Sequence, residues 1–477
     1  MIVVCLLLYL DFAGIKAQNS SQTIVRPTDS IPFFKKSGIA LSEAIGLNLA
    51  VWATDRYILN SDFSHISRKT IHHNIQTGFV WDSDLFGTNF ILHPYHGSLY
   101  FNAARSNGFN FYQSIPFSFI GSLTWEYLFE NEPPSINDIL STTIGGTAIG
   151  EVTYRLSNKV FDNSASGAKR VFREIAGTII SPIGGLNRLI SGRAWKRSNV
   201  SLRDQTPTDL NISAGIHFLK PRMISEHHLY TQIGLDLEYN PAMEEVEKPY
   251  DWFELNVRMN FNPNSLYINR IHLSGLLWNK TLRSNSKGQF DLGLYQHIDF
   301  LDSPLKEYQQ TPYRIAQIAA VGLGLRYHSP LDKRFTIDGK AFLTGIGLGA
   351  SLSDYYWVVD RDYSFGSGFS TKLNFSASDH TSGLRFKLNA ENYQLFTWKG
   401  YERDRDLHNE ELKMLDVQGD KGAANFSYIE SQIGYQSRQS WNIYFVPAYI
   451  RRSTNYAYRP NVQYSTYEFC VKVGYKM

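Results

Sequence analysis

The chain has 477 residues, of which 43% are hydrophobic and 14% aromatic, and its 47 basic and 44 acidic side chains give a net charge of +3. A mean hydropathy of −0.28, without any apolar run of about 20 residues, excludes a bundle of membrane helices. The aromatic content excludes a disordered chain, and the small net charge gives no case for a nucleic-acid partner. A soluble globular protein or a β-barrel remains.

The N-terminal segment predicts export from the cytoplasm. A short apolar run is followed by the small residue Ala17, which fits a signal peptide over residues 1–17 that is later cleaved. Residues 18–36 are polar and contain prolines, which predicts a linker. Cys5 would leave with the signal peptide, so the mature chain would keep only Cys470 and form no internal disulfide.

Residues 37–205 predict a helical domain, placed either in the periplasm or in the lumen of a barrel. Ser37 can cap a helix that is apolar on almost every side and must therefore be buried. Pro94 and Gly97 predict a turn, and Ser98 can cap the helix that follows it. Glycines farther along the domain predict close packing between helix backbones.

Two histidines and their neighbours are the candidates for chemistry in this domain. Neutral imidazoles are good general bases near pH 7, and a carboxylate could orient one of them. A histidine could also activate a serine as a nucleophile. The candidate catalytic residues are His93, His96, Arg105, Ser106 and Glu126. The His-x-x-His spacing across a proline matches no established zinc motif, so no metal is predicted, and the cofactor is undetermined.

Structural roles explain the other polar residues of the domain without any chemistry. Glu151 and Arg155 have the i,i+4 spacing of a favourable helix ion pair. Arg105 could form a buried pair with Glu126 or Glu130, which would be costly to break. The predicted structural cluster comprises Asn102, Asn107, Glu130, Asp138, Glu151 and Arg155.

Several motifs follow one another in a specific order over residues 85–165. They are His-Pro-Tyr-His-Gly at 93–97, Arg-Ser-Asn-Gly at 105–108, Trp-Glu at 125–126, Glu-Pro-Pro-Ser-Ile-Asn-Asp at 132–138, Gly-Gly at 145–146 and Gly-Glu-Val-Thr-Tyr-Arg at 150–155. This order resembles an uncharacterised family of Gram-negative outer-membrane proteins known only as a domain of unknown function (DUF3943-like). The resemblance implies an envelope location and a barrel after the motifs. It supplies neither a reaction nor catalytic residues.

From residue 206 onward, apolar and polar residues alternate with a period of two. The segments run to about 11–15 residues, which suits tilted membrane strands better than soluble strands of about 5–6 residues. In one segment the charged Arg385 and Lys387 flank the apolar Phe386, which predicts a wet lumen inside and lipid outside. The predicted strands are 210–219, 229–239, 253–261, 267–277, 289–300, 315–327, 335–349, 363–377, 383–396, 424–436, 441–451 and 463–477.

The connections alternate in length over the last eight strands, as expected for bacterial barrels with short periplasmic turns and long external loops. The connections at 378–382 and 438–440 are short, whereas 397–422 is long and highly charged. The alternation is weaker in the first four strands. The final segment, 467–477, places aromatic and aliphatic residues on one face and resembles the recognition strand of outer-membrane proteins. It predicts the barrel-assembly machinery as a partner.

The predicted fold class is therefore α+β, with an N-terminal helical domain followed by an antiparallel outer-membrane β-barrel of about twelve strands over residues 206–477. The predicted protein is a plugged channel or an envelope scaffold in the outer membrane of a Gram-negative bacterium. The alternative is an outer-membrane hydrolase or transferase that acts on envelope lipid through His93 and His96. Outer-membrane lipid is the other expected partner, and nucleic acid is not expected.

Overall fold

The computed structural model describes residues 32–199, 201, 203–305, 310–330, 334–355, 357, 360–403 and 416–477. The predicted signal peptide and most of the predicted linker lie outside these residues. The chain divides into a helical unit that extends to Thr206 and a barrel unit that begins at Pro207. Among the described residues, every helix is too short or too polar to cross a membrane.

Helices and π-helical turns make up the first unit. The helices are α1 (Phe33–Thr54), α2 (Arg68–Thr77), α3 (His93–Ser106), α4 (Phe111–Leu128), α5 (Ile136–Leu140), α6 (Gly146–Val160), α7 (Gly167–Ile180) and α8 (Pro182–Ile190). The π-helical turns cover Asp55–Leu59, Thr88–Leu92 and Ser141–Gly145, and a 3₁₀ turn covers Asp62–Ser64. Wide turns of this kind often mark functional positions in helices, and two of them directly precede α3 and α6.

Helix α1 begins earlier than the sequence predicts. The linker was expected to reach residue 36, but the helix starts at Phe33, directly after Pro32. A proline suits a helix start because the missing amide hydrogen would have no partner inside the helix. Ser37, the predicted cap, lies inside the helix, where its hydroxyl donates to the carbonyl of Phe33 at 2.9 Å.

Helix α3 also includes the residues predicted to form a turn. Pro94 occupies the first turn of the helix, a position that tolerates proline. Gly97 is helical because α3 crosses the start of α6 at very short range. A Cβ atom on Gly97 would lie 1.8 Å from the carbonyl oxygen of Thr142, and one on Gly146 would lie 2.6 Å from the Cα of Gly97. The predicted close packing of helix backbones is therefore found here.

Helix α3 forms the core of the helical unit. Its side chains Tyr100, Phe101 and Ala104 are completely buried. Ala104 packs with Ala40 of α1 and with a pair of phenylalanines near α4 in one hydrophobic cluster. A helix that is buried on several sides depends on tertiary packing rather than on helix propensity for its stability.

The second unit is a closed antiparallel barrel of twelve strands in simple up-and-down order. The strands are β1 (Thr208–Pro221), β2 (His228–Tyr239), β3 (Phe253–Asn262), β4 (Ser265–Asn285), β5 (Gly288–Asp302), β6 (Arg314–His328), β7 (Phe335–Leu352), β8 (Tyr363–Asp379), β9 (Leu384–Thr397), β10 (Gly422–Gln436), β11 (Trp441–Tyr456) and β12 (Val462–Lys476). Pairing of β1 with β12 closes the barrel, with Asn211 opposite Lys476 and Pro221 opposite Thr466. The predicted fold class and strand number are confirmed.

The alternation predicted from the sequence separates an outer and an inner face. On β12, Val471 and Val473 are exposed on the outside, whereas Glu468 and Lys472 are buried on the inside. An outward apolar surface and an inward polar surface are typical of a barrel in lipid. From β5 to β11 the connections alternate as predicted, with long segments at 303–313, 353–362 and 398–421 and short ones at 329–334, 380–383 and 437–440. The β11–β12 connection, 457–461, is short where the alternation predicts a long loop.

One half of the barrel interior is filled by the barrel's own side chains. One apolar cluster joins buried residues from eight of the twelve strands and from the β5–β6 connection: Leu219, Tyr230, Leu301, Leu305, Tyr313, Ile315, Ala320, Ile346, Tyr393, Leu395, Phe426, Tyr428, Ala448 and Ile450. Because β1 and β6 lie on nearly opposite walls, this cluster crosses the lumen. Most of its members lie in the half of the barrel where β1 ends, the half to which the long loops connect.

Candidate functional site

A short parallel bridge between two chain segments builds the most polar site of the helical unit. The amide of Val80 donates to the carbonyl of Pro134 at 2.9 Å, and the amide of Ile136 donates back to Val80 at 3.0 Å. The amide of Asp82 then donates to the side chain of Asn137 at 3.2 Å. The bridge therefore places Asp82 beside the first turn of α5.

The start of α5 is held by a cap and by a buried glutamate. The Ser135 hydroxyl accepts the amide hydrogen of Asp138 at 3.3 Å, as the sequence pattern indicates. The Ser135 amide donates to Oε2 of Glu126 at 2.7 Å, which ties α4 to α5. Glu126 is 1% exposed. A carboxylate at this position also interacts favourably with the N-terminal end of the helix.

His93 lies at the start of α3 and faces two aspartates. Its Nε2 atom is 3.2 Å from Oδ1 of Asp138 and 3.7 Å from Oδ2 of Asp84. The π-helical turn before α3 also presents Asn89, whose amide donates to Asp82 at 2.9 Å. We call Asp82, Asp84, His93, Glu126, Glu130 and Asp138 the acid cluster.

Burial forces the acid cluster to retain protons. Burial and repulsion from Asp82 hold the pKa of Asp138 well above its usual value. Burial and repulsion from Glu126 do the same to the pKa of Glu130, and burial raises the pKa of Glu126 to about 7. Asp138 shares a hydrogen bond with Asp82, as Glu130 does with Glu126, so the cluster contains two acid–carboxylate pairs.

His93 can be charged in this setting. Burial disfavours the imidazolium, but the negative charges of Asp84 and of the other neighbouring carboxylates outweigh it and raise the pKa of His93. A histidine and two acid–carboxylate pairs can accept or release protons near neutral pH. Carboxyl groups with strongly shifted pKa values are typical of functional sites, although structural networks shift them too.

His96, the second predicted catalytic histidine, has a different role. It is surrounded by aromatic rings, and burial lowers its pKa to about 3, so the imidazole stays neutral. Its Nε2 atom lies 3.0 Å from the hydroxyl of Tyr100, which in turn bonds to Asn48 of α1. His96 therefore fixes α3 against its neighbours and does not share the environment of His93.

Arg105 belongs to a separate buried ion pair. Its guanidinium donates twice to Glu151 of α6, at 2.6 and 2.9 Å, and Arg155 donates to the same carboxylate at 2.9 Å. The predicted pair of Glu151 and Arg155 is present, whereas the expected pairing of Arg105 with Glu126 or Glu130 is not. Arg105 lies three helical turns beyond His93 on α3, so the carboxylate within its reach is the one on α6.

Ser106 and the two predicted asparagines also lie away from the acid cluster. Ser106 is 13 residues beyond His93 on α3, which places it about 20 Å away at 1.5 Å per residue. These two side chains cannot form a nucleophile–base pair. Asn102 donates to Thr153 of α6 at 2.9 Å, and Asn107 donates to Glu43 of α1 at 2.9 Å, so both tie helices together.

The structure thus joins His93, Glu126, Glu130 and Asp138 and separates them from the other predicted residues. Sequence reasoning missed Asp82 and Asp84, which stand in a Trp-Asp-Ser-Asp stretch without helical or strand periodicity. Two acidic residues shortly before a histidine-containing motif were the available signal.

One part of the acid cluster could also hold a cation. Oxygen and nitrogen atoms of Asp82, Asp84 and His93 all lie within 4.8 Å of one another. Carboxylate oxygens and an imidazole nitrogen are ligands that several divalent metals accept. The sequence prediction of no metal stays a prediction.

Family comparison matches the part of the chain that builds this site. Residues 78–183 match the family model described as Domain of unknown function (DUF3943). The match confirms the resemblance predicted over residues 85–165. The DUF3943 segment extends from the strand-like bridge before Asp82 to the start of α8, so it contains the whole acid cluster. No curated protein matches the chain.

Solved structures similar to the chain are outer-membrane barrels. A loop L8 deletion mutant of OmpT, an outer membrane protein of Vibrio cholerae, is 8% identical, with 57% of this chain and 99% of that chain covered and a TM-score of 0.21. The NanC porin is 10% identical, with 56% and 100% covered and a TM-score of 0.24. OccK2 of Pseudomonas aeruginosa is 10% identical, with 57% and 98% covered and a TM-score of 0.19. These are similarities of fold alone.

Replacing Glu130 by glutamine tests the proton held by the acid cluster. Folding raises the pKa of Glu130, so the protonated side chain stabilises the folded state. This stabilisation is complete below the unfolded pKa of 4.5 and is lost as the pH rises through the folded pKa. We expect Glu130→Gln to melt about 2–4 °C higher than the wild type at pH 8, the shift that about 1 kcal/mol gives in a unit of this size. At pH 4 the two proteins should melt together.

The measurement is thermal unfolding of the full chain in detergent micelles, followed by circular dichroism at 222 nm. Asp62→Asn, which neutralises an exposed carboxylate of the same unit, is the control and should have little effect at either pH. A Glu130→Gln variant that melts below the wild type at pH 8 would show that the cluster needs a charge at this position.

Proposed function

We propose that this β-barrel protein is an outer-membrane scaffold whose lumen is closed by its own side chains. The sequence predicts either a plugged channel or an envelope scaffold as the non-enzymatic function, and the proposal selects the scaffold. A barrel that closes its own lumen has no need of a separate plug.

Bonds that cross the lumen carry this proposal. Arg270 of β4 donates to Glu391 of β9 at 2.5 Å, and these strands are five places apart in a barrel of twelve. The hydroxyl of Tyr313, directly before β6, donates to Glu468 of β12 at 2.5 Å, and those strands are on opposite walls. A water-filled channel requires the space that these side chains occupy.

The outer surface of the barrel supports a membrane location. Large apolar side chains are exposed around the barrel on outward positions, including Leu323, Leu343, Leu373, Ile433 and Val471. Soluble proteins rarely expose contiguous apolar surfaces of this extent. A barrel in the outer membrane further requires the signal peptide, and the outward apolar face of β12 supports insertion by the barrel-assembly machinery.

Conductance across a planar lipid bilayer tests the closed lumen. The ring of Phe426 packs against the rings of Tyr313 and Tyr393, and the ring centroids are 6.0 Å apart in each pair. We expect the inserted wild-type protein to show no single-channel steps, because this aromatic group blocks the lumen. The triple alanine variant should conduct ions.

A general porin, reconstituted in the same way, controls for insertion, and a heat-dependent shift on a gel confirms that each variant is folded. Open-channel steps from the wild type would contradict the scaffold proposal. A folded triple variant that stays silent would show that something other than this aromatic group closes the barrel.

The acid cluster favours the second function expected from the sequence, an enzyme that acts on envelope lipid. Its support is the pairing of His93 with Asp84 and Asp138 beside two acid–carboxylate pairs, an arrangement that can supply a general acid and a general base. His96 and Ser106 are not part of this candidate active site, because His96 lies among aromatic rings and Ser106 lies far from His93.

Mass spectrometry of outer-membrane lipids tests the enzyme. Cells that lack the gene would be complemented with the wild type, with His93→Gln or with Ser106→Ala. We expect a lipid species to change on deletion and to be restored by the wild type and by Ser106→Ala, but not by His93→Gln. An unchanged lipid profile in the deletion strain would remove the enzyme from consideration, and restoration by His93→Gln would exclude His93 as the base.

A further inference from the structure

A polar cavity opens inside the barrel at the end where β1 begins and β12 ends. Its volume is about 190 Å³, and inward side chains from most of the strands line it. This is smaller than the roughly 300–1,000 Å³ of pockets for drug-sized ligands. The cavity therefore suits a small ligand or one end of a larger one.

Most charges in this cavity have a partner of opposite charge. Lys476 pairs with Asp209 at 2.6 Å, and Lys340 pairs with Glu254 at 2.6 Å and with Glu238 at 3.4 Å. Asp338, which also lines the cavity, pairs with a histidine of β6. Each of these groups has an ion-pair partner within 4 Å, so none of them calls for a ligand.

Three cations at this end of the barrel are different: Arg385 and Lys387 of β9, which line the cavity, and Lys472 of β12. In the part of the chain that the structure describes, Arg385, Lys387 and Lys472 form neither a hydrogen bond nor an ion pair through their side chains. Lys472 is 3% exposed, so little of its side chain is in contact with bulk water. A buried charge without a partner is costly, and it is usually compensated by a bound ion or by hydrogen bonds.

The strand register places Arg385 and Lys472 at the same level of the barrel wall, three strands apart. Arg385 of β9 is opposite Gly434 of β10, which is opposite Tyr444 of β11, and Tyr444 is opposite Lys472 of β12. The missing side chain at Gly434 leaves room for the Tyr444 ring, because a Cβ atom there would lie 2.2 Å from it. Lys472 Nζ is 5.8 Å from the centroid of that ring.

The carboxylates within reach do not balance the cations. Asp236 binds Arg258 at 2.5 Å and also interacts with Lys387 and Lys472 over a longer distance. Glu430 accepts hydrogen bonds from Tyr428 and Asn389 and interacts with Arg258 and Lys472. The group therefore contains four cations, Arg258, Lys387, Arg385 and Lys472, against two carboxylates.

We propose that this end of the barrel is a binding site for a phosphate group, held by Arg385, Lys387 and Lys472. A phosphate dianion would neutralise the excess of two positive charges. Arginine and lysine are the usual partners of phosphate oxygens, and the hydroxyl of Ser376 and the amide of Gln432, opposite Lys387 on the two adjacent strands, supply further donors. The phosphate could belong to a free ion or to a lipid headgroup.

Isothermal titration calorimetry of the full chain in dodecyl maltoside, in a buffer low in chloride, tests this site. Inorganic phosphate is one probe and dihexanoyl phosphatidic acid is the other. We expect at least one of them to bind the wild type, with an affinity that falls by about tenfold or more in Arg385→Gln/Lys387→Gln. Binding of both probes would indicate a site for the phosphate group itself, and binding of the lipid alone would indicate a headgroup site.

The matched control is Arg438→Gln, which removes an exposed cation from the β10–β11 turn at the same end of the barrel, outside the cavity. It should bind like the wild type. Lys472→Met provides a second variant that should remain folded, because it replaces an unpaired buried charge with an apolar side chain of similar length. This variant should bind phosphate more weakly than the wild type and unfold at a higher temperature. Absence of binding by both probes, or equal binding by wild type and Arg385→Gln/Lys387→Gln, would overturn the proposal.

Discussion

The barrel depends on the rule that a charge removed from water needs a partner. Arg270 and Glu391 meet across the lumen, and each would be a buried charge without the other. Breaking such a pair by removing one partner typically costs about 3–5 kcal/mol, so the pair fixes the distance between the walls that carry it. Strand pairing closes the sheet into a barrel, and these contacts block the lumen between its two ends.

The same rule applies to the helical unit, where buried carboxyl groups either bind arginines or retain protons. Glu151 is buried between Arg105 and Arg155, whose guanidinium groups both bind its carboxylate and so lock α3 to α6. The acid cluster has more carboxyl groups than cations, and it satisfies the rule by keeping protons on some of them. Groups that hold protons in this way respond to pH, which makes the cluster the part of the helical unit most suited to chemistry.

Periodic features could be predicted from the sequence, and contacts between distant segments could not. The twelve strands followed from alternation alone, because each inward polar residue has an outward apolar neighbour. The parallel bridge that places Asp82 beside Asp138 leaves no periodic signal in the sequence. The segment with Pro94 and Gly97, where a turn is expected, is helical because Thr142 packs against Gly97. The sequence predicts that Arg385 and Lys387 face the lumen. Whether they have partners there depends on side chains from many other strands, which the alternation in one strand does not reveal.

Thiol labelling at two positions of one strand tests the closed lumen most directly. Ser370 and Ser376 both point inward from β8; Ser370 is fully buried, and Ser376 lines the open cavity. In a chain whose own cysteines are replaced by serine, a charged, water-soluble maleimide should label Ser376→Cys in the folded barrel and label Ser370→Cys only after heating. Equal labelling rates at the two positions in the folded protein would mean that water passes through the barrel, and would contradict a lumen closed by its own side chains.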